Sequence, residues 1–592
     1  MNESISLLGK KDDNNKWKRL FKKRFLGIFV ILVIGIVLTL IFFFVPDRKN
    51  APNKFVGKLV YGTKGGVAVE AEECSKVGVK ILQKGGNAVD AAIASTLCIG
   101  VIDNFATGIG GGGFMLIRSP NGTYEFIDFR ETAPDLAHQD MFVKDPILSS
   151  IGGLSIAVPG EIRGLELAYQ RHGKLPWKEL FDPAIHIARY GFKTTALLEK
   201  RLEMGKDWIM NNQAFRQVYA PNGTLAKEGD LILRPTLANT LEIIATQGAD
   251  SFYKGDIAKQ LVKTIQKNGG IITMDDLENY KAVIRPTINT YYHGRKITTT
   301  TSPTSGPISL SIFNLLERFQ LSKQGDQDNF LNIHRLIESF KFGYAFRTEM
   351  ADPDFMSNQE RMDELISKDW ASTVRRNISD DQTFDPLYYQ PKYDHIEAHG
   401  TMHLSVIDEN DGAVALTSSV NHLFGSQVMD EATGVIFNDQ MDDFSIPNTP
   451  NLFGLYPSKD NYPEPGKRPL SSITPIIIER DGLLELAIGG SGGSMILTSV
   501  VNVILNVLDH GMDLYQAIDA PRLHHQLLPN LVILEEDHNV QLATYLKDLG
   551  HKLFQLPPEF RRISAVQAVQ RFANGTLGAV SDPRKLGFAA AY

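Results

Sequence analysis

Cysteine is almost absent from this chain. Two cysteines among 592 residues are too few for a four-thiolate zinc module or for a disulfide-dense scaffold. An excess of positive charge is also missing, since 61 Lys and Arg face 68 Asp and Glu, which excludes a generally basic nucleic-acid-binding protein. Hydrophobic residues make up 43% of the chain and charged residues 22%. This balance excludes a wholly disordered or fibrous protein, and the length predicts one to four globular domains.

One apolar run is long enough to cross a membrane. Residues 25–45 contain no charged side chain and would span about 31 Å as a helix, against about 30 Å for a hydrocarbon core. The run is longer than the apolar part of a cleaved signal peptide, which is the alternative, and no small-residue cleavage site follows it. Residues 1–24 carry a net charge of +5, which leaves −12 for the rest of a chain whose total is −7. The side of a membrane span that carries more Lys and Arg stays in the cytoplasm, so residues 1–24 are expected on the cytoplasmic side.

We therefore predict a single-pass type II plasma-membrane protein whose main body is extracellular. The predicted segments are a cytoplasmic tail over 1–24, a transmembrane signal anchor over 25–45 and a stalk over 46–60. Four N-glycosylation triplets are consistent with an extracellular location. They begin at Asn121, Asn222, Asn377 and Asn574. Cys74 and Cys98 could pair outside the cell or remain buried thiols in neighbouring helices, and the residues alone leave both open.

Periodicity and turn residues predict strands grouped between helices. The organisation changes near residue 400, because the polar and irregular segment 381–400 is followed by two strand-like runs around a good hairpin turn. Such grouping predicts layered α/β or α+β packing. The predicted helices cover 72–84, 87–97, 237–247 and 495–508, and the predicted strands cover 114–118, 124–129, 402–408, 413–419, 473–478 and 484–488.

Residues 108–113 match the dinucleotide-binding pattern G-x-G-x-x-G, with Asp128 at a suitable distance. An Ala-rich helix precedes this segment and an apolar strand follows it, whereas a phosphate site requires a strand before and a helix N-terminus after. We interpret the glycines as a loop that permits close packing of the backbone.

Residues 489–493 match G-x-S-x-G between an apparent strand and an apparent helix, the context of a nucleophile elbow. Ser491 would be the nucleophile of a serine hydrolase, and candidate partners follow in triad order: Asp509, Asp513, His524 and His525. Only 101 residues follow Ser491, which is little for the remainder of such a fold. The small residues also suit a loop whose backbone N–H groups bind an oxyanion. Serine hydrolase remains the second hypothesis.

A third candidate is Thr401 in the segment 400–405. If the segment is a strand, then Thr401, His403 and Ser405 share one face. A threonine inside a chain is a poor nucleophile, but a cut before Thr401 would free an α-amine that accepts the hydroxyl proton. By itself this six-residue segment favours an ordinary strand whose polar residues face water.

Taken together, nine segments of the chain resemble the gamma-glutamyltransferases, also called gamma-glutamyl transpeptidases or glutathione hydrolases, in their animal, membrane-anchored form. The similarity runs from about residue 60 to the C-terminus, in the order of the family. The matching segments are 85–92, 108–113, 129–134, 158–160, 400–405, 441–444, 469–472, 489–493 and 581–585.

This resemblance implies an α+β fold, the four-layer αββα sandwich of N-terminal-nucleophile hydrolases. It also implies self-cleavage between Gly400 and Thr401 into a large subunit, 61–400, and a small subunit, 401–592. The expected reaction cleaves the γ-glutamyl bond of glutathione and its conjugates and passes the γ-glutamyl group to water, amino acids or dipeptides. No metal or organic cofactor is expected. An inactive relative that only binds γ-glutamyl compounds is a further alternative.

The resemblance also assigns roles to single residues. The catalytic set is Thr401 as nucleophile, Ser419 to orient its α-amine, and Gly492 and Gly493 as the oxyanion hole. The set that binds the amino-acid head is Arg130, Ser471 and Ser472 for the α-carboxylate, with Asp443, Asn421 and Gln440 for the α-ammonium. Cys74 and Cys98 match a disulfide of animal members. Leu423 replaces a tyrosine that animal members often carry, which affects the expected acceptor preference.

Overall fold

Two sheets of seven strands lie at the centre of the structure, a computed structural model. It describes residues 57–322, 326–356, 359–394, 401–447, 450, 454–536, 538–556 and 564–592. The strands are β1 Val60–Gly62, β2 Gly66–Ala68, β3 Gly112–Arg118, β4 Tyr124–Phe129, β5 Phe192–Lys193, β6 Leu231–Ile232, β7 Val283–Arg285, β8 Thr287–Tyr292, β9 Arg295–Thr300, β10 Met402–Ile407, β11 Ala413–Ser419, β12 Ile476–Arg480, β13 Leu483–Ser491, β14 Leu523–His524, β15 Val532–Leu534, β16 Leu553–Gln555, β17 Ala565–Arg571, β18 Leu577–Val580 and β19 Ala590–Ala591.

The helices surround these sheets. They are α1 Glu72–Gln83, α2 Ala88–Ile102, α3 Glu161–His172, α4 Trp177–Tyr190, α5 Ala196–Met204, α6 Lys206–Asn211, α7 Gln213–Tyr219, α8 Pro235–Gln247, α9 Asp250–Tyr253, α10 Gly255–Lys267, α11 Met274–Asn279, α12 Gly306–Leu316, α13 Asp326–Arg347, α14 Gln359–Leu365, α15 Lys368–Val374, α16 Met495–Leu508, α17 Leu514–Asp519 and α18 Val540–Asp548.

The sheets pack face to face between two layers of helices. The first sheet has the order β1-β18-β17-β13-β12-β9-β8 and the second β19-β2-β10-β11-β3-β4-β7. Buried side chains of both sheets form one cluster, such as Leu116 and Ala415 of the second sheet with Ala487 and Val569 of the first. The outer face of the second sheet packs on α1–α4 and their neighbours, and that of the first on α12, α13 and α16. The α+β sandwich of four layers, helix–sheet–sheet–helix, is confirmed.

The four helices and six strands that local signals predict are all present. Asn87 caps α2, because its side chain accepts the N–H groups of Val89 and Asp90 while Asp90 accepts that of Asn87. The helix continues to Ile102, five residues beyond its predicted end, since its whole length is buried. The strand predicted from residue 473 starts only at Ile476, because Pro475 lacks the N–H that a strand ladder needs.

The glycines of 108–113 allow main chains to approach closely. A Cβ atom on Gly111 would lie 2.1 Å from the carbonyl oxygen of Ser419, and one on Gly113 2.0 Å from that of Thr417. Both neighbours belong to β11, which pairs with β3. Only glycine leaves room for this pairing, so the prediction of a packing loop is confirmed and the dinucleotide pattern has no phosphate role in this fold.

Cys74 on α1 and Cys98 on α2 form a disulfide, with their Cα atoms 5.5 Å apart. Both residues are fully buried. The bridge therefore fastens together the two helices that cover the second sheet.

The predicted tail and anchor, residues 1–45, and most of the stalk lie outside the described residues. No helix in the described part of the chain is both apolar enough and long enough to cross a membrane. The first strand begins at Val60, the last residue of the predicted stalk. The asparagines of the four glycosylation triplets are all exposed.

His403 lies between the two sheets and is fully buried. One ring nitrogen is 2.8 Å from the Thr417 hydroxyl and the other 3.0 Å from the Ser405 hydroxyl. A Cβ atom on Gly489 of the facing sheet would overlap the ring. Burial lowers the pKa of His403 to about 3, so the imidazole stays neutral in the folded protein.

We expect His403 to make the folded state sensitive to acid. As the pH falls below about 6.5, this histidine binds a proton in the unfolded chain but not in the folded chain. The contribution of neutral His403 to the unfolding free energy is therefore fully present above about pH 6.5 and is lost progressively towards about pH 3. Between pH 7.5 and pH 5, the wild type should lose about 2 kcal/mol more unfolding free energy than His403→Gln. Denaturant unfolding at both pH values measures this difference. His138→Gln, at an exposed position, is the control, and an equal pH response in all three proteins would contradict the assignment.

Candidate active site

A cavity with about 660 Å³ of empty space opens beside the first residue of the small-subunit segment, Thr401. Nine of the ten residues to which the resemblance assigned a catalytic or binding role line this cavity, although they come from distant parts of the chain. They are Arg130, Thr401, Ser419, Asn421, Gln440, Asp443, Ser471, Ser472 and Gly493. The tenth, Gly492, is the chain neighbour of Gly493. The fold thus brings together residues that the sequence separates by as much as 363 positions.

The β10–β11 hairpin places Thr401 next to Ser419. Met402 pairs with Ser418, so the start of one strand lies beside the end of the other. The two hydroxyl oxygens are 3.5 Å apart, and the Ser419 hydroxyl also accepts the backbone N–H of Asn421 at 2.9 Å. Asn421 itself has a positive φ of 76°, which turns the chain sharply after β11. Ser419 is therefore fixed within reach of the Thr401 side chain and main chain.

Gly492 and Gly493 form a turn between β13 and α16. Their φ angles are 125° and 62°, a region that side chains other than glycine rarely adopt. A Cβ atom on Gly492 would also come within 3.1 Å of the Ser564 backbone. Gly493 faces the cavity together with Thr401. Backbone N–H groups in such a turn can stabilise negative charge on a substrate oxygen without any side chain.

Arg130, which is buried, and Asp443, which is partly buried, form an ion pair in the cavity wall. The sequence predicted separate contacts of these residues with a substrate, and the structure adds that they contact each other. Gln440 donates a second hydrogen bond to the Asp443 carboxylate, at 2.7 Å. Burial raises the pKa of Asp443, and the neighbouring Arg130 opposes that rise. The pair presents one positive and one negative group side by side to the cavity.

The segment 469–472 contacts Arg130 through its backbone. Arg130 also donates to the carbonyl oxygens of Pro469 and Leu470, each at 3.3 Å. The Ser471 hydroxyl oxygen accepts the N–H of Ile473 at 3.2 Å. The hydroxyl proton of Ser471 is not used in this bond and can be donated to another group. Leu423, the departure from the animal pattern, packs against the apolar layer around the second sheet and does not line the cavity.

Sequence reasoning missed six polar residues of this wall, which are Arg347, Thr348, Asp394, Ser445, Ser458 and Asn461. Arg347, at the end of α13, donates to the Ser472 hydroxyl at 3.0 Å and is almost fully buried. Asn461 donates to the Asp443 carbonyl oxygen at 2.8 Å and accepts the N–H of Leu470 at 3.1 Å. Asp394 also lines the cavity. No local pattern marks these residues, because each takes its place only through contacts between distant segments.

Two further titratable groups, one acidic and one basic, shape the electrostatics. Burial raises the pKa of Glu131 to about 8, against the effect of Arg130, and neither carboxyl oxygen of Glu131 has a hydrogen-bond partner within the described residues. Burial opposes the charged form of His422, but its hydrogen bond to Asp439 and the negative charges of Asp439, Asp442 and Asp443 together outweigh burial and raise its pKa to about 9. Near neutral pH, Glu131 is therefore largely uncharged and His422 largely charged.

The serine-hydrolase hypothesis is wrong. The predicted strand, turn and helix are all present, but Ser491 is the last residue of β13, is fully buried and donates its hydroxyl proton to Glu70. It does not line the cavity. His524 contacts Thr498 and Gln526 instead. The pattern identified the correct local structure, whereas the packing of the two sheets turned the serine away from the cavity.

One group of side chains in the described part of the chain has metal-ligand character: His334, Glu338 and His551. Their donor atoms are already in use. The two imidazoles lie 2.8 Å apart, and Glu338 accepts the hydroxyl protons of Thr383 and Tyr389, each at 2.6 Å. The ammonium of Lys341 lies 3.6 Å from the same carboxylate and already supplies a positive charge. The group is a satisfied hydrogen-bond network that does not line the cavity of Thr401.

Comparisons with known proteins agree with this geometry. A family model described as gamma-glutamyltranspeptidase matches residues 74–592. The chain is 43% identical to glutathione hydrolase proenzyme 2 of Schizosaccharomyces pombe over 580 residues, which cover 97% of this chain and 95% of the relative.

Solved structures show the same fold. A cephalosporin acylase from Bacillus halodurans superposes with a TM-score of 0.80 at 25% identity, covering 93% of this chain and 99% of that one. The gamma-glutamyltranspeptidase of Helicobacter pylori has a TM-score of 0.51 at 34% identity and covers 53% of this chain and 91% of its own. The match of the family model over most of the chain, together with the assembled cavity, shows that this chain belongs to the gamma-glutamyltranspeptidase family.

Proposed function

We propose that this protein cleaves the γ-glutamyl bond of glutathione and its conjugates and transfers the γ-glutamyl group to water, amino acids or dipeptides. One observation carries the proposal: a hydroxyl at a strand start, a glycine turn and an Arg–Asp pair share one cavity, around Thr401, Gly493 and Arg130–Asp443. A γ-glutamyl substrate presents the matching parts, which are a carbonyl to attack, an oxygen that becomes negative, and a head with one carboxylate and one ammonium.

The Arg130–Asp443 pair suits this zwitterionic head. A carboxylate beside Arg130 and an ammonium beside Asp443 would each meet an opposite charge, and a guanidinium binds carboxylates in a fixed geometry. The side-chain oxygen of Gln440 is buried and has no hydrogen-bond partner within the described residues, so it is available to an ammonium. Ser471 and Ser472 line the same cavity, and their hydroxyls would donate to the carboxylate. A buried unpaired charge is costly, which favours substrates that carry both charges.

Catalysis requires Thr401 to be the first residue of its chain. We propose that the Thr401 hydroxyl attacks the carbonyl carbon of Gly400, a residue outside the described ranges. The Gly400–Thr401 C–N bond breaks, the freed α-amine takes the hydroxyl proton, and water hydrolyses the resulting ester. The products are the large subunit, 61–400, and the small subunit, 401–592.

The mature reaction then repeats the same chemistry on a substrate. The α-amine accepts the proton of the Thr401 hydroxyl, which attacks the γ-carbonyl carbon, while Gly492 and Gly493 bind the oxyanion. The C–N bond breaks, the leaving amine takes the proton, and a γ-glutamyl ester remains on Thr401. Water or an acceptor amine attacks this ester and restores the hydroxyl. Ser419, 3.5 Å from the threonine oxygen, orients these groups.

We expect Thr401→Ala to remain a single chain and to release no glutamate from glutathione, because the nucleophile of both steps is lost. Thr401→Ser is the matched control, since it keeps a hydroxyl and should still cleave itself and turn over, more slowly. A denaturing gel and a glutamate-release assay on the same preparations measure both properties. Normal cleavage of the alanine variant would refute the mechanism, and a cleaved wild type without turnover would indicate an inactive binding relative.

The head-group proposal predicts a substrate-dependent effect of Asp443→Asn. For a γ-glutamyl anilide, kcat/KM should fall at least about 100-fold, because the ammonium loses a charged partner in a buried site. For the glutaryl anilide, which lacks the α-amine, the wild type should be poor and the variant should change less than about threefold. The glutaryl substrate thus reports whether the variant is intact. Equal losses on both substrates would show that Asp443 does not bind the ammonium.

We also propose that residues 25–45 anchor the enzyme in the plasma membrane, with residues 46–592 outside. Support comes from the apolar run with its +5 tail, the disulfide and the four exposed acceptor asparagines, which would carry glycans.

The full chain should sediment with membranes and resist extraction by alkaline carbonate, since about 20 apolar residues would be buried in the bilayer. Replacing residues 1–45 by a cleavable secretion signal should release the activity into the medium. Carbonate-soluble activity from the full chain would contradict the anchor.

A further inference from the structure

Lys585 contacts the nucleophile residue without lining the substrate cavity. Its ammonium donates to the Thr401 backbone carbonyl oxygen at 2.7 Å and forms an ion pair with Glu70 at 2.8 Å. The lysine belongs to the segment 581–585, to which sequence reasoning gave no role. It lines a second cavity, together with Glu70 and Asp103. Any influence of Lys585 on catalysis therefore passes through Thr401 and not through direct contact with substrate.

Glu70 connects this lysine to the turn that forms the proposed oxyanion hole. One carboxylate oxygen binds Lys585, and the other accepts the hydroxyl proton of Ser491 and the amide of Gln567, the latter at 3.3 Å. Ser491 directly precedes Gly492. Glu70 is fully buried and Lys585 nearly so. One ion pair thus touches the residue that carries the nucleophile and the strand end that leads to the glycines.

We propose that the Lys585–Glu70 pair is a positioning device that fixes the main chain of Thr401 against the oxyanion turn and keeps the freed α-amine of Thr401 unprotonated. The inference rests on the proposed function, because only a cleaved chain has this amine. Lys585 and Glu70 act through Thr401 and Ser491 and are positioning residues.

Electrostatics gives the two partners opposite effects on the amine. The α-nitrogen of a residue lies about 3 Å from its own carbonyl oxygen, so the Lys585 ammonium is within about 6 Å of it. A cation at this distance disfavours a second positive charge, whereas the carboxylate of Glu70 offsets part of that effect. His403, two residues on, is neutral. The charged groups that line the substrate cavity together with Thr401 are Arg130, Asp443, Arg347 and Asp394. The second cavity, beside Lys585 and Glu70, also contains Asp103, whose pKa burial raises to about 7. Its other titratable side chains are exposed: Glu72, Glu73, His186 and Lys193.

The test is the pH dependence of kcat/KM for a γ-glutamyl anilide, measured on the matured proteins at one ionic strength. The amine must be unprotonated to accept the hydroxyl proton, so the rate rises with pH through its pKa. Lys585→Met removes the cation and should move this acid limb up by about 0.5 to 1 pH unit. Glu70→Gln removes the anion and should move the acid limb to lower pH.

The second readout separates kcat from KM. In Lys585→Met, kcat should fall about 10- to 100-fold while KM changes less than about threefold, since the residue does not line the substrate cavity.

Lys585→Arg is the matched control, because it keeps the charge and should leave the acid limb in place. Shifts of opposite sign support the inference, whereas shifts of the same sign, or lost activity with an unmoved limb, overturn it and leave Lys585 a structural role. If Lys585→Met does not mature, Glu70→Gln decides: a downward shift supports the inference, and any other result overturns it. A wild type that stays a single chain overturns the proposed function and this inference together. A cleaved and active wild type without opposite shifts overturns this inference alone.

Discussion

The antiparallel pairing of β10 with β11 is the constraint on which the rest of the site depends. It places Thr401, the residue before β10, beside Ser419, the last residue of β11. The pairing is held from its other side by β3, whose main chain comes so close that Gly111 and Gly113 have no room for a Cβ atom. The position of the nucleophile is therefore set by backbone hydrogen bonds and close approach, which are less adaptable than side-chain contacts.

Buried charges in this protein occur mainly as pairs, and several pairs join the two sides of the proposed cut. Arg130 pairs with Asp443, Glu70 with Lys585, and Arg118 with Glu479 at 2.7 Å. Each first partner precedes residue 400 and each second partner follows it. A cut between Gly400 and Thr401 would leave these pairs in place. It would also leave intact the two central β-sheets, each of which contains strands from both sides of the cut. The two products would therefore remain one folded body. Breaking one partner of such a pair is costly, which makes the association specific.

The fold alone does not define the substrate. The same sandwich superposes on a cephalosporin acylase and on a gamma-glutamyltranspeptidase, so enzymes named for different substrates share this architecture. The preference for a head group depends instead on the cavity wall. There Arg130 and Asp443 form an ion pair, and the side-chain oxygen of Gln440 has no hydrogen-bond partner within the described residues. The chemistry of the head group is thus read from a few side chains and not from the sheets.

The sequence by itself determined the features that depend on neighbours along the chain: the apolar run of 25–45, the Asn87 cap, the β10–β11 hairpin and the order of the family segments. It also identified most of the cavity, because the family motifs mark those residues. The family resemblance already favoured Thr401 over Ser491, but only the tertiary structure showed which of the two side chains reaches the cavity, since both lie in plausible local patterns and sheet packing determines accessibility. Arg347, the Arg130–Asp443 contact and Lys585 likewise emerged only there. A side chain's partner across hundreds of residues is chosen by how layers pack, and no short-range pattern encodes that choice.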